Sequence, residues 1–404
     1  AAEFAKLAQA YAAENKLAHQ GTQTATSTEE DVKTTTIKFN ELDLGYYLVD
    51  TTLGTLCSLD TTTPSVTIKE KNAVPTNEKE VQEDSNNTFG KANDADIGQT
   101  VNFKSTITAQ AGAENYVFHD KMTKGLTLDK TSIKVDDIAI TDANGDDVTG
   151  DNYTISFGTI EDGETTFDIE FAQSYLNAIT EAKTIVITYS ATVNEKAVVG
   201  STGNPNESWL DYGDKTNTKS TPKSTTTTYT WEIDVYKYTV NKDTKEEKAL
   251  ANAQFILYKD VKDGDNTTRY YATATAVDVG YRFTEWTTEK ASATTFITPD
   301  SGKFAIKGLD SDTYYLEETQ APAGYNTLKA PVKVVIDDEG NVTYTYDGVD
   351  TVANTDVRIL NNTGAELPST GGIGTTIFYI VGAVLVLGAS VLLVTKRRMK
   401  NDQQ

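Results

Sequence analysis

Residues 228–240 read TYTWEIDVYKYTV, and apolar and polar side chains alternate along them. A period of two residues is typical of a β-strand with one buried face. Similar alternating runs occur at TVNFKSTITAQ (100–110), TIVITYSATV (184–193), AQFILYK (253–259) and VKVVIDDEGNVTYTY (332–346). Turn signals bound these runs, and no long helical pattern separates them. The sequence therefore predicts an all-β chain of stacked β-sandwich domains.

Length and composition limit the classes of function. The chain has 404 residues, which at roughly 150 residues per domain predicts two or three domains. It carries 36 basic and 59 acidic residues, and the net charge of −23 disfavours binding to nucleic acid or anionic lipid. The single cysteine, Cys57, cannot form an internal disulfide, and the two histidines, His19 and His119, are too far apart for a zinc motif. We therefore expect no bound metal, no cofactor and no nucleic-acid partner.

The C-terminal residues hold the strongest signal in the sequence. Residues 373–394 are almost wholly apolar, and about 20 helical residues span the roughly 30 Å hydrocarbon core of a membrane. Lys396, Arg397, Arg398 and Lys400 follow directly, and a basic cluster of this kind stays on the cytoplasmic side. We expect a C-terminal transmembrane helix, with all the preceding domains outside the cell.

A short motif, formed by Leu367, Pro368, Ser369, Thr370 and Gly371, stands directly before the apolar span. The order of LPSTG motif, apolar span and basic tail resembles the LPxTG sorting signal of Gram-positive surface proteins. The resemblance implies that a sortase cysteine attacks the Thr370 carbonyl and releases the segment from Gly371 onward. Thr370 then joins an amine of the cell-wall peptide or of a lysine in the next subunit. The chain is thus expected to be the substrate of a sortase and not an enzyme.

Residues 314–325 read YYLEETQAPAGY and resemble the E-box, YxLxETxAPxGY, of pilin and adhesin domains. The segment is similar to the Cna protein B-type immunoglobulin-like domain. In that family a first-strand lysine and a last-strand asparagine join through an isopeptide bond, assisted by a buried glutamate, which implies Lys237, Asn361 and Glu318. Burial favours the neutral amine and the neutral acid, so the amine can attack the carboxamide while ammonia leaves. Asn362 is the rival acceptor.

A second set of motifs lies in the middle of the chain, where DKMTKGL begins at Asp120 and GNPN begins at Gly203. These pieces resemble the A-type middle domain of backbone pilins. In that family a lysine near the domain start, an acid in the DxxxxGL element and an asparagine in the GNxN element form the cross-link. The resemblance implies Lys79, Asp120 and Asn206, with Asn204 as the alternative acceptor.

The first part of the chain contains two partial matches to pilin motifs. Residues 46–51 repeat the start of the E-box, with Asp50 in place of the glutamate, which implies a third immunoglobulin-like domain. Residues 66–72, VTIKEKN, resemble the pilin motif that ends VxVYPKN. This resemblance implies that Lys71 is the amine that resolves the Thr370 acyl-enzyme of a neighbouring subunit. The alternative is a solvated lysine at the end of a strand.

The predicted architecture is tandem immunoglobulin-like β-sandwich domains followed by a transmembrane sorting helix. We expect a partial N-terminal pilin domain at 1–72, an A-type domain at 73–225, a Cna protein B-type domain at 226–365 and the cell-wall sorting signal at 366–404.

The expected function is that of the structural backbone subunit of a sortase-assembled pilus, secreted and anchored to the cell wall. The expected partners are a pilus-specific sortase, neighbouring copies of the chain, accessory pilins, peptidoglycan and host surface ligands. The expected chemistry is limited to a single autocatalytic turnover at each isopeptide site. The alternative is a wall-anchored adhesin, or an accessory pilin at the tip or base, which needs no linking lysine.

Overall fold

The computed structural model describes residues 74–363 except 148–149, 159–164, 214–217, 347–348 and 354–355, together with 7–8, 11–12, 14–17, 39, 41–49, 55–59 and 65–66. Strands dominate these residues, and the all-β prediction is confirmed. Helix is limited there to positions between residues 7 and 14, to α1 (Gln173–Asn177), and to a 3-10 turn at Lys290–Ser292. Among the described residues no helix is long and apolar enough to cross a membrane.

Several predicted features lie outside the described residues. They are the sorting motif at 367–371, the apolar span at 373–394, the candidate linking residue Lys71, and Asp50. In the first part of the chain, β1 (Gly45–Val49) pairs with β2 (Thr55–Leu59) in an antiparallel sheet of two strands. Residues 46–49, which repeat the start of the E-box, therefore lie in a strand.

Two sheets pack around a common core in the middle of the chain. Their strands are β3 (Thr76–Gln82), β4 (Phe89–Gly90), β5 (Ala92–Asp94), β6 (Thr100–Ala109), β7 (Val117–Met122), β8 (Leu126–Val135), β9 (Ile138–Ala139), β10 (Tyr153–Phe157), β11 (Phe167–Phe171), β12 (Lys183–Val193), β13 (Asn204–Tyr212), β14 (Lys219–Ser220) and β15 (Ser224–Tyr229). Sheet I has the order β4-β3-β6-β12-β8-β9. Sheet II has the order β10-β11-β7-β13-β15-β5, with β14 beside β13. Every second residue of β13 is buried, as the alternation of a half-buried strand requires.

The C-terminal strands form a third large sheet, which we call sheet III. They are β16 (Trp231–Val240), β17 (Glu247–Ala249), β18 (Gln254–Asp263), β19 (Asn266–Ala276), β20 (Tyr281–Thr287), β21 (Phe296–Ile297), β22 (Lys303–Leu309), β23 (Asp312–Gln320), β24 (Val332–Ile336), β25 (Val342–Tyr346), β26 (Val349–Ala353) and β27 (Asp356–Leu360). The hydrogen-bonded order is β17-β16-β22-β20-β19-β18-β23-β24-β25-β26, with β21 beside β18 and β27 beside β16. The last strand, β27, runs parallel to the first long strand, β16.

The middle and C-terminal parts meet through a packed junction. Ile97 N donates a hydrogen bond to Gly308 O at 3.0 Å, and Trp286 Nε1 donates one to Asp96 Oδ2 at 2.7 Å. Gly308 has a φ of +92°, and a Cβ there would lie 2.4 Å from the Ile97 side chain, so the close approach requires glycine. The boundary predicted after residue 225 falls within β15, which pairs with β13 and β5 of sheet II.

Candidate functional site

Lys237, Glu318 and Asn361, which we call the C-terminal trio, meet inside the C-terminal domain. Lys237 lies on β16, Glu318 on β23, and Asn361 directly after β27. The parallel pairing of β16 and β27 sets Lys237 opposite Ile359. Asn361 lies two residues beyond Ile359, so its side chain points to the same face of the strand. Asn361 N donates to Tyr238 O at 2.9 Å, which fixes the end of β27 beside the lysine.

The side chains of the C-terminal trio are in direct contact. Lys237 Nζ donates a hydrogen bond to Asn361 Oδ1. Glu318 Oε1 lies 3.1 Å from Lys237 Nζ and accepts a hydrogen bond from Asn361 Nδ2 at 3.1 Å. Leu328 N holds the other carboxyl oxygen, Glu318 Oε2, at 2.8 Å. One carboxyl oxygen therefore touches both the amine and the amide nitrogen, whereas Asn362, the rival acceptor, is exposed.

Burial changes the protonation of the lysine in this trio. The side chains of Lys237 and Glu318 have no solvent exposure, and Lys237 Nζ lies 5.6 Å from the centre of the Phe255 ring. Burial lowers the pKa of Lys237 to about 8, although the Glu318 carboxyl acts to raise it. The amine therefore carries a free lone pair in a substantial fraction of molecules at neutral pH, as a nucleophile requires.

Lys79, Asp120 and Asn206, the middle trio, meet between sheets I and II. Lys79 lies on β3 of sheet I, while Asp120 on β7 and Asn206 on β13 belong to sheet II. Lys79 Nζ donates a hydrogen bond to Asp120 Oδ2 at 2.5 Å. All three residues are buried. A covalent bond between Lys79 and Asn206 would therefore tie the two sheets together across the core.

Burial shifts both ionisable groups of the middle trio toward their neutral forms. It lowers the pKa of Lys79, although the neighbouring Asp120 acts in the opposite direction. Burial raises the pKa of Asp120, although hydrogen bonds and the lysine act to lower it. The removal of water penalises each charged form more than the partner compensates. The environment thus favours the unprotonated amine and the protonated acid over the ion pair.

The two candidate acceptors of the middle domain, Asn204 and Asn206, have different contacts in the structure. Asn204 Oδ1 accepts a hydrogen bond from Val198 N at 2.8 Å, and Asn204 Nδ2 donates to Val198 O at 3.1 Å and to Thr228 O at 3.2 Å. The Asn204 side chain is therefore hydrogen-bonded to the backbone at Val198 and at Thr228 of β15. Asn206 instead faces the middle trio, and its Oδ1 atom is buried without a hydrogen-bond partner among the described residues.

Two residues with functional contacts are not singled out by the sequence. The Tyr189 hydroxyl contacts Lys79, Asp120 and Asn206 in the middle trio. His119, which the sequence only excludes from a zinc motif, pairs with the carboxylates of Asp168 and Asp211 on the outer face of sheet II. Strand alternation places Tyr189 on the inward face of its run, but its partners come from other strands.

Three protein-family models match parts of the chain. Residues 97–216 match the model described as Gram-positive pilin backbone subunit 2, Cna-B-like domain. Residues 236–350 match the SpaA prealbumin-like fold domain, and residues 359–401 match the LPXTG cell wall anchor motif. The middle match carries a Cna-B-like description, which differs from the A-type assignment expected from its motifs. The anchor match assigns the chain to the Gram-positive cell wall.

Known proteins resemble the chain over most of its length. The trypsin-resistant surface T6 protein of Streptococcus pyogenes serotype M6 is 25% identical in an alignment of 362 positions, which covers 75% of this chain and 65% of that protein. The structure of the full-length major pilin RrgB from Streptococcus pneumoniae is similar with a TM-score of 0.51 and 15% identity, covering 78% of this chain and 79% of that chain.

A group B streptococcus pilus 2b backbone protein aligns with a TM-score of 0.48 and 23% identity, covering 72% of this chain and 99% of that chain. The RrgB likeness supports the tandem β-sandwich fold. Each of the three family models matches a separate segment of the chain: the middle domain, the C-terminal domain or the anchor. The chain is therefore similar to Gram-positive backbone pilins over most of its length, and its C-terminal residues match the LPXTG cell wall anchor model.

Proposed function

We propose that the chain is the shaft subunit of a covalent pilus. A sortase joins Thr370 of one subunit to Lys71 of the next, and the finished polymer is attached to peptidoglycan, where it supports adhesion and carries accessory pilins. One observation carries this proposal: each of the two large domains buries a lysine, a carboxyl group and an asparagine close together. They are in direct contact in the C-terminal trio and are linked through the Tyr189 hydroxyl in the middle trio. Such a group is suited to a self-formed bond that strengthens a load-bearing subunit.

The proposed reaction at the C-terminal trio needs no cofactor. Lys237 Nζ attacks Asn361 Cγ, a new C–N bond forms, and the bond from Cγ to Nδ2 breaks. Glu318 Oε1 contacts both nitrogens, so its carboxyl can take a proton from the amine and deliver one to the departing ammonia. The products are one amide and one molecule of ammonia. The same balance holds for Lys79 and Asn206, and each site turns over once.

The proposed bonds lie on the path of mechanical load. In the C-terminal domain the bond would join β16 to the end of β27, the first and last strands of sheet III. Force that enters near Lys71 and leaves at Thr370 would pass through covalent bonds in both domains and would bypass most of each core. We propose domain limits of 1–72, 73 to about 230, about 231 to 365, and 366–404, because β15 pairs within sheet II.

A substitution at the linking lysine tests the polymer directly. Lys71→Ala should abolish the ladder of high-molecular-weight bands that cell-wall extracts show on a denaturing gel, and should leave monomer attached to the wall. Lys69→Ala is the matched control, since it removes a neighbouring lysine of the same motif and should leave the ladder intact. Thr370→Ala should abolish both the ladder and wall attachment.

Each outcome of this experiment has a defined meaning. A ladder that persists in Lys71→Ala removes Lys71 from the proposal. A wild-type chain that runs only as a single wall-linked species would contradict the shaft assignment and would favour a monomeric adhesin or an accessory pilin. The intramolecular bonds can be measured separately in the ectodomain, the part of the chain that lies outside the cell. A negative result for polymerisation therefore does not count against the intramolecular bonds, and their absence does not count against polymerisation.

A further inference from the structure

The hydroxyl of Tyr189 lies at the centre of the middle trio. It accepts a hydrogen bond from Lys79 Nζ and donates one to Asp120 Oδ2. Asn206 Nδ2 donates to the same hydroxyl oxygen at 3.3 Å. A hydroxyl group has one donor and two acceptor positions. All three positions are used here, each by a different member of the trio.

The surrounding core holds this hydroxyl in place. Tyr189 lies on β12 of sheet I, and its ring stacks on Phe103 at 5.4 Å and meets Phe167 edge-on at 5.0 Å. Burial raises the pKa of Tyr189 well above 10, and the Asp120 charge acts in the same direction. The side chain is thus a neutral hydroxyl at neutral pH, which can both accept and donate a proton.

Amide formation requires a proton to move from one nitrogen to another. The attacking lysine nitrogen must lose a proton, and the asparagine nitrogen must gain one before it can leave as ammonia. In the C-terminal trio, Glu318 Oε1 contacts both nitrogens. In the middle trio, the Tyr189 hydroxyl contacts both. The phenol therefore occupies the position that a carboxyl oxygen occupies in the other domain.

We propose that Tyr189 is a catalytic residue of the middle-domain cross-link, with its hydroxyl acting as the proton relay; this inference rests on the proposed function. Lys79 Nζ attacks Asn206 Cγ, the hydroxyl takes one proton from Lys79 Nζ, and it gives its own proton to Asn206 Nδ2. The bond from Cγ to Nδ2 breaks and ammonia leaves. Asp120 Oδ2 accepts the hydrogen bond of the hydroxyl and so holds it in place. The hydroxyl is regenerated, and no further reactant is consumed.

Tyr189→Phe tests the relay because it keeps the ring and removes the hydroxyl. The wild-type ectodomain should lose two molecules of ammonia, whereas Tyr189→Phe should lose only the one from the C-terminal domain. Intact-mass measurements at successive times after synthesis should show middle-domain bond formation slowed on the order of 100-fold or more. The C-terminal bond, which forms in the same molecule, is the internal reference for the rate.

Phe167→Leu is the control for packing, because it disturbs the Tyr189 ring and keeps the hydroxyl. It should form both bonds at rates close to those of the wild type, and a cooperative thermal transition checks that each variant has folded. Two results would overturn the relay: joined Lys79 and Asn206 peptides at the wild-type rate in Tyr189→Phe, or equal slowing in Phe167→Leu. A wild type without the middle bond would overturn the proposed cross-link itself, and the relay with it.

Discussion

A lysine and a carboxyl group buried side by side can remain an ion pair or become two neutral groups, and the surroundings decide between the two. At Lys237 burial dominates and brings the pKa to about 8, so about one tenth of the amine is unprotonated at pH 7. At Lys79 and Asp120 burial acts on both partners in the direction of the neutral forms. Each site thus provides a nucleophile without a metal or a separate base.

The glutamate of the E-box gives the clearest prediction for a single residue. Glu318→Ala should prevent the bond between Lys237 and Asn361, because no carboxyl then moves the proton between the two nitrogens. Loss of a cross-link that closes a loop of over a hundred residues removes roughly 4 to 5 kcal/mol of stability, by analogy with disulfides. The melting temperature of the C-terminal domain should then fall by on the order of 15 °C, as measured by calorimetry.

Glu317→Ala is the matched control for this change. Glu317 is the neighbouring glutamate on β23, and it pairs with Lys290 at 3.0 Å in a partly exposed salt bridge. Surface pairs of this kind contribute little, so the variant should form the bond and melt within a few degrees of the wild type. Joined Lys237 and Asn361 peptides in Glu318→Ala would show that the glutamate is dispensable.

At the scale of strands, His119 connects three members of sheet II. It lies on β7, with Asp168 opposite on β11 and Trp209 opposite on β13. His119 Nδ1 is 2.6 Å from Asp168 Oδ1, Nε2 is 3.2 Å from Asp211 Oδ2, and the ring stacks on Trp209 at 5.0 Å. Burial lowers the pKa of His119, but the two carboxylates raise it, and the net result is a raised pKa.

This raised pKa predicts a pH-dependent contribution to stability. A histidine whose pKa is higher in the folded state stabilises fully below its unfolded pKa, about 6.5, and loses that contribution as pH rises through its folded pKa. His119→Gln should therefore lower the melting temperature of the middle domain more at about pH 5.5 than at about pH 8.5. His19→Gln is the control, and an equal loss at both pH values would contradict the charge-based explanation.

Strand alternation predicts the elements well where apolar residues mark one face. It gives little signal at β15, where the run of threonines after Ser224 contains little apolar area. In the structure, Thr226 and Thr228 are buried in sheet II. Thr228 Oγ1 donates to Asn93 Oδ1 at 2.8 Å. Threonine can therefore form an inward face that a count of apolar residues does not detect.

The candidate sites show the same limit of sequence reasoning. Asn204 and Asn206 are two residues apart on β13, so alternation sends both side chains inward and cannot choose between them. Two contacts distinguish the candidate acceptors: Val198 N hydrogen-bonds to the Asn204 side chain, and the Tyr189 hydroxyl contacts Asn206. Both contacts depend on how the chain folds back on itself, and a single sequence carries no signal for such pairings.

At the scale of the whole molecule, carboxyl groups are concentrated at the junction of the two large domains. Asp96 Oδ1 accepts a hydrogen bond from Asp310 N at 2.9 Å, and Asp94 Oδ2 accepts one from Ser311 N at 3.0 Å. Burial, followed by the charges of Asp94 and Asp96, raises the pKa of Asp310 to about 9. Asp310 is therefore protonated at neutral pH in the folded chain, which reduces the repulsion among the crowded acids.

The junction should weaken as pH rises. Between about pH 4 and pH 9 the folded state keeps a proton on Asp310 that the unfolded state releases, so stability falls with increasing pH across this window. Asp310→Asn keeps a neutral side chain at every pH and should raise the melting temperature relative to the wild type, by an amount that grows with pH up to about 9.

Asp338→Asn is the control for the junction prediction, because Asp338 is an exposed acid close to the same interface. It should leave the pH dependence of melting unchanged. A melting temperature of Asp310→Asn that differs from the wild type by a constant amount between about pH 5 and about pH 9 would contradict the assignment of a protonated Asp310.

We propose above that both large domains of this subunit close a covalent bond between a buried lysine and a buried asparagine. The most direct measurement is the intact mass of the wild-type ectodomain, followed by identification of joined peptides after proteolysis. We predict a mass lower than that of the unmodified chain by two molecules of ammonia, with Lys79 joined to Asn206 and Lys237 joined to Asn361. An unmodified mass, with all four residues in separate peptides, would contradict the account.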